Sequence, residues 1–501
     1  MKKISLFVLV LLITFLTISC SNNTDDAQRF DIEYYDTTEV SLLGSIELEL
    51  DKSFLSLSTG RSHIIAKMDN DKYYAWGSNN YGQLGDGTTE TKTQPVEITE
   101  SFDLIEGEQI INYSLGDSHS AALTNEGRVL TWGNNLSGRL GDGTTTSTAI
   151  PIDITQNFNL HLNEEIKYIT TGYLSGAAIT SEYRVFTWGD NSSGQLGDGT
   201  ITNRYNPTDI TSMFNLSINE RVTYISIGNV HSAAITNEGR LFTWGNNAYG
   251  QLGDGTNNLR VKPYDITENL NLNLDEEILG LDLGKNNNIL FTSENRVFVW
   301  GLNNYGQLGN GTVTNKSTPV DITNQFSFQQ EESIIKVTSG YSHLFLITSN
   351  NRIFSWGDNQ YGQLGNGSSI NQLNPIEITD EFGLSDEESI FSISLGDGLS
   401  AMVTSEGKVF TWGNNDKHQL GDGGILIKSS PMNIIEREIH KGFLKKETIL
   451  ANSTLELYIP TREGYTFFGW YTDIERNNQF TLTKMPEEDI ELYVKWTKNQ
   501  D

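Results

Sequence analysis

The sequence predicts an all-β fold, a β-propeller of 56-residue repeats followed by a small separate module. Two spacings carry this reading, and the patterning within each copy agrees. Seven of the nine tryptophans (Trp76, Trp132, Trp188, Trp244, Trp300, Trp356 and Trp412) stand 56 residues apart. Seven prolines (Pro95, Pro151, Pro207, Pro263, Pro319, Pro375 and Pro431) keep the same step. Between these markers, short alternating apolar runs are separated by turn residues, as in half-buried strands.

The fourth copy shows the elements in order. "VTYISIG" (Val222 to Gly228) alternates and is the first expected strand. "SAAIT" (Ser232 to Thr236) is the second, with Ala233 and Ala234 small enough for a close neighbouring backbone. "NEG" then turns the chain. Its third position holds Asp71, Gly127, Tyr183, Gly239, Asn295, Asn351 and Gly407 across the copies. All but Tyr183 tolerate a left-handed conformation, so a hairpin is expected, with a distorted turn at Tyr183. "RLFTWG" (Arg240 to Gly245) is the third strand, and "PYDIT" (Pro263 to Thr267) the fourth. Proline at its start suits an edge strand, because it cannot donate to a ladder. The connector "ENLNLNLDEEI" (Glu268 to Ile278) is expected to hold a short helical turn. Four-stranded sheets repeated in this way are the units of a propeller.

The recurring signature reads "G…HS…G…WG…GQLG.G…P". It resembles the regulator-of-chromosome-condensation repeat family over roughly residues 40 to 435. That resemblance implies a seven-bladed propeller, here residues 39–435. Val40 to Leu43 lies one period before Val96 to Thr99, and Met432 to Ile435 follows the last Trp-Gly copy. One of these two end segments is expected to complete a blade shared between the chain ends.

The chain opens "MKKISLFVLVLLITFLTISCSNN". Lys2 and Lys3 precede an apolar run, Ile4 to Leu16, that is short for a membrane span. Small Ser19 precedes Cys20, the single cysteine of the 501 residues, so no disulfide is available. This resembles a bacterial lipoprotein signal peptide over residues 1–19. The resemblance implies cleavage before Cys20, acylation of its thiol and anchoring at the outer face of the cell membrane. An ordinary cleaved signal peptide with a chance cysteine is the alternative. Residues 20–38 are polar and acidic and are expected to be a flexible tether.

The period stops after Pro431. "PTREGYTFFGWYTD" (Pro460 to Asp473) and "MPEEDIELYVKW" (Met485 to Trp496) resemble the internalin-type B-repeat of bacterial surface proteins. A small β-grasp-like module over residues 441–498 is therefore implied, with Trp470 and Trp496 in its core.

The formal net charge is -30, from 34 Lys+Arg against 64 Asp+Glu. Such a surface repels phosphate backbones, which argues against a nucleic-acid partner. Four of the seven histidines (His63, His119, His231 and His343) share one repeat position, held elsewhere by Ser175, Asn287 and Leu399. A catalytic histidine needs a local partner, not a copy in most blades, so a structural hydrogen-bonding role is expected. There is no nucleophile elbow and no Cys/His metal spacing. The glycine-rich loops carry Asp86, Asp142, Asp198, Asp254, Asn310, Asn366 and Asp422, without the alternating ligands a Ca²⁺ loop needs. No catalytic residue, metal or cofactor is assigned.

Recognition is expected where copies differ inside an invariant frame. One such position follows the strand-ending glycine: Arg61, Asp117, Tyr173, Asn229, Lys285, Tyr341 and Asp397. The other is the fifth residue after each Trp: Tyr81, Ser137, Ser193, Tyr249, Tyr305, Tyr361 and Lys417. Tyrosines and charges on rigid loops suit an extracellular or cell-surface protein partner. Neutral drift on exposed loops accounts for the same variation equally well. The resemblance also implies an alternative, since the family's eukaryotic founder is a guanyl-nucleotide exchange factor for a small GTPase. That activity is tied to an inserted wedge, and the strict spacing leaves no copy with one. The leading expectation is a lipid-anchored, surface-exposed, monomeric binding or adhesion protein without enzymatic activity.

Overall fold

The computed structural model describes residues 29–35, 54–385, 387–434, 443–450, 465–471 and 490–498. The chain divides into two units, residues 43–438 and a second made of residues 1–42 with 439–501.

The first unit is a seven-bladed propeller of four-stranded antiparallel sheets. Each blade uses four consecutive strands. In blade 4 they are Val222–Ile227, His231–Thr236, Leu241–Gly245 and Arg260–Asp265. The first strands of successive blades face one another around the central channel. The second and third strands are buried along their whole length, and the fourth forms the exposed rim. The fourth strand begins three residues before Pro263, earlier than the sequence suggested. Proline is nonetheless accommodated, because this strand has a neighbour on one side only. A single 3₁₀ turn follows, Thr267–Leu270 in this blade, in the connector where a helical turn was expected.

Strand direction alternates, so the loops sort onto two faces. Loops between strands one and two, and the glycine-rich loops between strands three and four, share what we term the loop face. The hairpin turns between strands two and three share the connector face with the 3₁₀ turns. The hairpin at Tyr183 is not distorted. Its N–H donates to the Thr180 carbonyl at 2.9 Å, as Gly239 donates to Thr236 at 3.0 Å. Tyr183 adopts φ +62°, and the Arg221 guanidinium lies 4.3 Å from its ring centroid. That stacking offsets part of the left-handed penalty, of order 1 kcal/mol.

The ring closes without a shared strand, contrary to expectation. Blade 7 is complete in Ile390–Leu395, Leu399–Thr404, Val409–Gly413 and Lys428–Asn433. Val40 to Leu43 lies outside the described residues. Closure rests on contacts of the kind found between the other blades. The Trp76 indole N–H donates to the Gln419 carbonyl at 3.1 Å, and the Asp397 N–H to the Arg61 carbonyl at 3.1 Å. Phe54, Leu57, Ile64 and Trp76 share an apolar cluster with Leu399, Ala401 and Leu420.

The same interface recurs around the ring. All seven repeat tryptophans are at most 1% exposed. Each indole N–H reaches a carbonyl of the preceding blade, as Trp244 does to Gln195 at 2.9 Å. The leucine-glycine pair of the glycine-rich loop packs on the next tryptophan. A Cβ on Gly253 would lie 2.9 Å from Trp300 Nε1, and its φ is +69°. Three of the four repeat-position histidines, His63, His231 and His343, pin the same seam in the structural role expected of them. His63 Nε2 lies 3.0 Å from Ser120 Oγ, and that hydroxyl donates to the Gln83 carbonyl at 2.8 Å. The serine proton is thereby committed, so the imidazole donates through Nε2–H. His343 repeats this with Ser400, and His231 with Asn288. Where a copy lacks the histidine, the partner changes too: Leu399 sits in one apolar cluster with Ile64.

A second repeated device braces the connector face. Arg296 bridges buried Glu276 at 2.9 Å and Asp321 at 3.0 Å. Burial pushes the Glu276 carboxyl up, but the Thr292 hydroxyl, the Asn273 N–H and Arg296 together hold it below the ordinary carboxylate range. Arg128, Arg184, Arg240 and Arg352 repeat the bridge. Arg296→Ala is expected to destabilise the propeller by about 2 kcal/mol, because a buried carboxylate loses its counter-charge. Chemical denaturation checks this, and adding Glu276→Gln should recover part of the loss.

In the second unit, Phe443–Leu450, Arg29–Tyr35, Ile490–Lys498 and Tyr465–Tyr471 form one sheet in that order. Arg29–Tyr35 falls in the segment expected to be a tether. It runs antiparallel to Phe443–Leu450 and parallel to Ile490–Lys498. Trp470 and Trp496 fall in these strands, but their side chains, like all of Cys20, lie outside the described residues.

Candidate functional site

The glycine-rich loop that suggests a ligand site in sequence is consumed by its own bonding. Asn247 accepts from the Leu252 N–H at 3.0 Å and donates to Asp254 Oδ1 at 3.0 Å. Asp254 Oδ1 also accepts from the N–H and hydroxyl of Thr256, at 2.9 and 2.8 Å. Its Oδ2 accepts from Arg260 Nε at 2.9 Å. The carboxylate thus ties the loop to the outer strand. Among the described residues, His161, Glu164 and Glu182 come close enough together to hold a metal ion. Arg184 already pairs with Glu164 at 2.9 Å, and His161 Nδ1 meets Glu182 at 2.6 Å. Asn273 makes the same bridge to Glu294 two blades on, which marks it as a connector contact.

The seven residues after the strand-ending glycines encircle one end of the channel, on the loop face. Successive backbones are linked there: the Arg61 N–H donates to the Gly116 carbonyl at 3.1 Å, and the Asp117 N–H to the Tyr173 carbonyl at 3.2 Å. Their side chains also engage one another, which their spacing in sequence did not reveal. Arg61 bridges Asp117 at 3.0 Å and Asp397 at 2.9 Å. Tyr173 and Tyr341, three blades apart, meet edge to face with centroids 5.3 Å apart. Lys285 Nζ sits 3.9 Å from the Tyr341 centroid. Burial pushes the Asp397 carboxyl up and lowers the Lys285 ammonium. These contacts fill the mouth with a mutually bonded polar and aromatic plug.

The second variable set lies on the same face, farther from the axis. Tyr81, Tyr249 and Tyr361 are 45%, 42% and 39% exposed. The two sets meet at the seam where blades 6, 7, 1 and 2 converge. There a depression of about 370 Å³ is lined by Arg61, Asp117 and Asp397 from the first set and Tyr81, Tyr361 and Lys417 from the second. Asn414 and Asp416 also line it. Tyr249 and Tyr305 belong to other blades and stay outside it, as do Tyr173, Asn229, Lys285 and Tyr341. Sequence could not locate the depression, because ring closure alone brings residues more than 300 positions apart into one wall.

The profile of the RCC1-like domain matches residues 35–332, and that of the regulator of chromosome condensation repeat matches 350–403 and 406–441. The Listeria-Bacteroides repeat domain matches residues 442–495. The ultraviolet-B receptor UVR8 of Arabidopsis thaliana is 29% identical over 381 residues, 76% of this chain and 81% of that protein. RCC1 domain-containing protein RUG3, mitochondrial, from the same plant is 29% identical and covers 72% of this chain and 82% of its own length. Among solved structures, yeast RCC1 (Prp20) bound to Kap60 superposes with TM-score 0.61 at 20% identity, over 76% of this chain and 85% of that one. Human WBSCR16 gives 0.59 at 22%, over 70% and 86%. The two structures share the propeller fold. With more than half of its length matched by one profile, the chain belongs to the RCC1-like domain family.

Proposed function

We propose that this chain is a non-enzymatic, surface-exposed bacterial lipoprotein that binds a protein partner through the loop face of its propeller. The meeting of two independently variable residue sets in one depression carries the reading. Exposed tyrosines and charges held on a rigid, internally bonded frame lose little entropy on binding, the usual character of interface anchors. Binding of Kap60 by yeast RCC1 supports a protein-binding role for the fold. The likeness of residues 1–19 to a lipoprotein signal peptide, with Cys20 directly after them, supports a lipid anchor and a site in the cell envelope.

Protease shaving of intact cells should release the propeller, and Cys20→Ser should empty the membrane fraction. Partners retained by the purified protein should be lost, with affinity falling about tenfold or more, on Tyr81→Ala with Tyr361→Ala and Lys417→Ala. Full retention by that triple variant would rule out the depression as the binding site. Family membership also keeps an exchange-factor-like regulator in view. That role requires cytosolic residence and faster nucleotide release from a GTPase, so protection from shaving would favour it.

A further inference from the structure

The opposite face carries a second feature, built into the ladder of every blade. The pairing of the first strand with the second shifts register at its second residue, between Phe54 and Ser56 in blade 1 and at the equivalent place in the other six. One residue per blade is bulged out of the ladder there, at the connector-face mouth of the channel. Bulges at the rims of sheets re-aim a side chain. In five consecutive blades around the ring that residue is apolar and exposed: Leu279 at 56%, Ile335 at 51%, Phe391 at 62%, Leu55 at 39% and Ile111 at 61%. Blades 3 and 4 carry Lys167 and Thr223 instead. Exposed apolar side chains repeated over consecutive blades in this way are uncommon on a free surface.

The charges around the arc identify what would cover it. The connectors leading into blades 2, 5, 6 and 7 (residues 99–109, 267–277, 323–333 and 379–389) hold fifteen Asp and Glu and not one Lys or Arg. Four of those acids (Glu108, Glu276, Glu332 and Glu388) are spent on the bracing cations. Glu106, Asp275, Glu277, Glu331 and Glu387 remain exposed beside the arc. The connector into blade 4 carries one cation, Arg221, and the one into blade 3 (residues 155–165) holds two acids and no Lys or Arg. The one into blade 1 (residues 43–53) holds three acids and Lys52, so the acidic excess runs around the mouth and includes the connectors of the apolar arc. An anionic membrane surface would be repelled, and a second copy of this face would bring like charges together.

We infer that the connector-face mouth is a docking site for a cationic amphipathic segment of a partner protein, its apolar side chains on the arc and its Lys or Arg against the connectors. This site is distinct from the loop-face depression and does not depend on it. The test uses the full chain and three fluorescent helical peptides, a Leu/Lys amphipath, a Leu/Glu amphipath and a Lys/Ser peptide of equal charge to the first. The Leu/Lys peptide alone should bind, less tightly in high salt. Ile335→Ser with Phe391→Ser should weaken it about tenfold or more. Tyr81→Ala with Tyr361→Ala should leave it unchanged. The bulged side chains are exposed, so the double serine variant should keep the wild-type Tm, and a matching far-UV spectrum confirms its fold. Equal binding of the Lys/Ser peptide would show attraction by bulk acidity alone and overturn the proposal. So would equal binding of the Leu/Glu peptide, or unchanged binding by the double serine variant. Serine-sensitive binding to phosphatidylcholine vesicles without peptide binding would replace the segment by a membrane. Serine-sensitive self-association on sedimentation would replace it by a second copy.

Discussion

Trp76→Ala is expected to destabilise the propeller by about 3–5 kcal/mol, the cost of emptying a fully buried indole site. Trp76 is 0% exposed and lies in the cluster that joins blade 1 to blade 7. Its N–H reaches the Gln419 carbonyl at 3.1 Å, and the Cβ missing from Gly421 would stand 2.7 Å from its Nε1. Alanine removes all three contributions. The location matters beyond the energy. Among the described residues no strand of the propeller crosses this seam, and the two ends of the repeat array are tied only through the sheet of the second unit, where Arg29–Tyr35 pairs with Phe443–Leu450. Trp244→Ala removes an equivalent indole between blades joined by continuous chain and should cost a similar free energy. Only Trp76→Ala should also expand the molecule in the transition region, because the ring can open there. Denaturant titration gives the free energies, and sedimentation through the transition compares the two variants. Equal hydrodynamic behaviour would show that the seam between blades 7 and 1 is no special point of opening.

The repeat, the all-β class and the buried role of Trp and Leu were legible because each depends on local pattern repeated seven times. The hairpin turns and the first three strands of each blade follow for the same reason. What spacing could not show was how copies meet. Nor does spacing pair Arg296 with Glu276 and Asp321, which stand 20 and 25 positions away within the same copy. Tyr183 violated the turn rule in sequence and yet turns normally, since Arg221 from the next blade stacks on it. The variable residues of the loop face looked like free recognition elements. Arg61, Asp117 and Asp397 instead bond to one another across the ring closure. The contacts of Tyr183 and of Arg61 join different blades, and their partners follow from the three-dimensional ring and not from neighbours in the chain.

The histidine seam makes the propeller acid-sensitive well before its carboxylates titrate. Burial lowers His63 and His231 to about 4 and His343 to about 3, and lowers His119 further below its ordinary value. Each is 0% exposed, and the glycine ending the first strand leaves room for the ring: a Cβ on Gly60 would lie 2.2 Å from His63 Cε1. The folded values lie below the unfolded one of about 6.5, so the unfolded chain takes up protons first. The stability these groups contribute is therefore complete above pH 6.5. It falls as the pH drops through the window down to about 4, and is flat below it. By pH 5 each of the three histidines with a stated value withdraws about 2 kcal/mol, roughly 6 kcal/mol together. Glu108, Glu164, Glu220 and Glu276 are held below the ordinary carboxylate range, so their losses begin only below about pH 4.5. His231→Gln isolates one site, because glutamine can still donate to Asn288 and does not titrate. Its stability should fall less steeply than wild type between pH 7 and pH 5, by about 2 kcal/mol, while Asp282 and Asp397, raised by burial, stay common to both proteins. Parallel curves for the two proteins would mean that His231 takes up its proton in the folded state, with its unbonded Nδ1 reaching water.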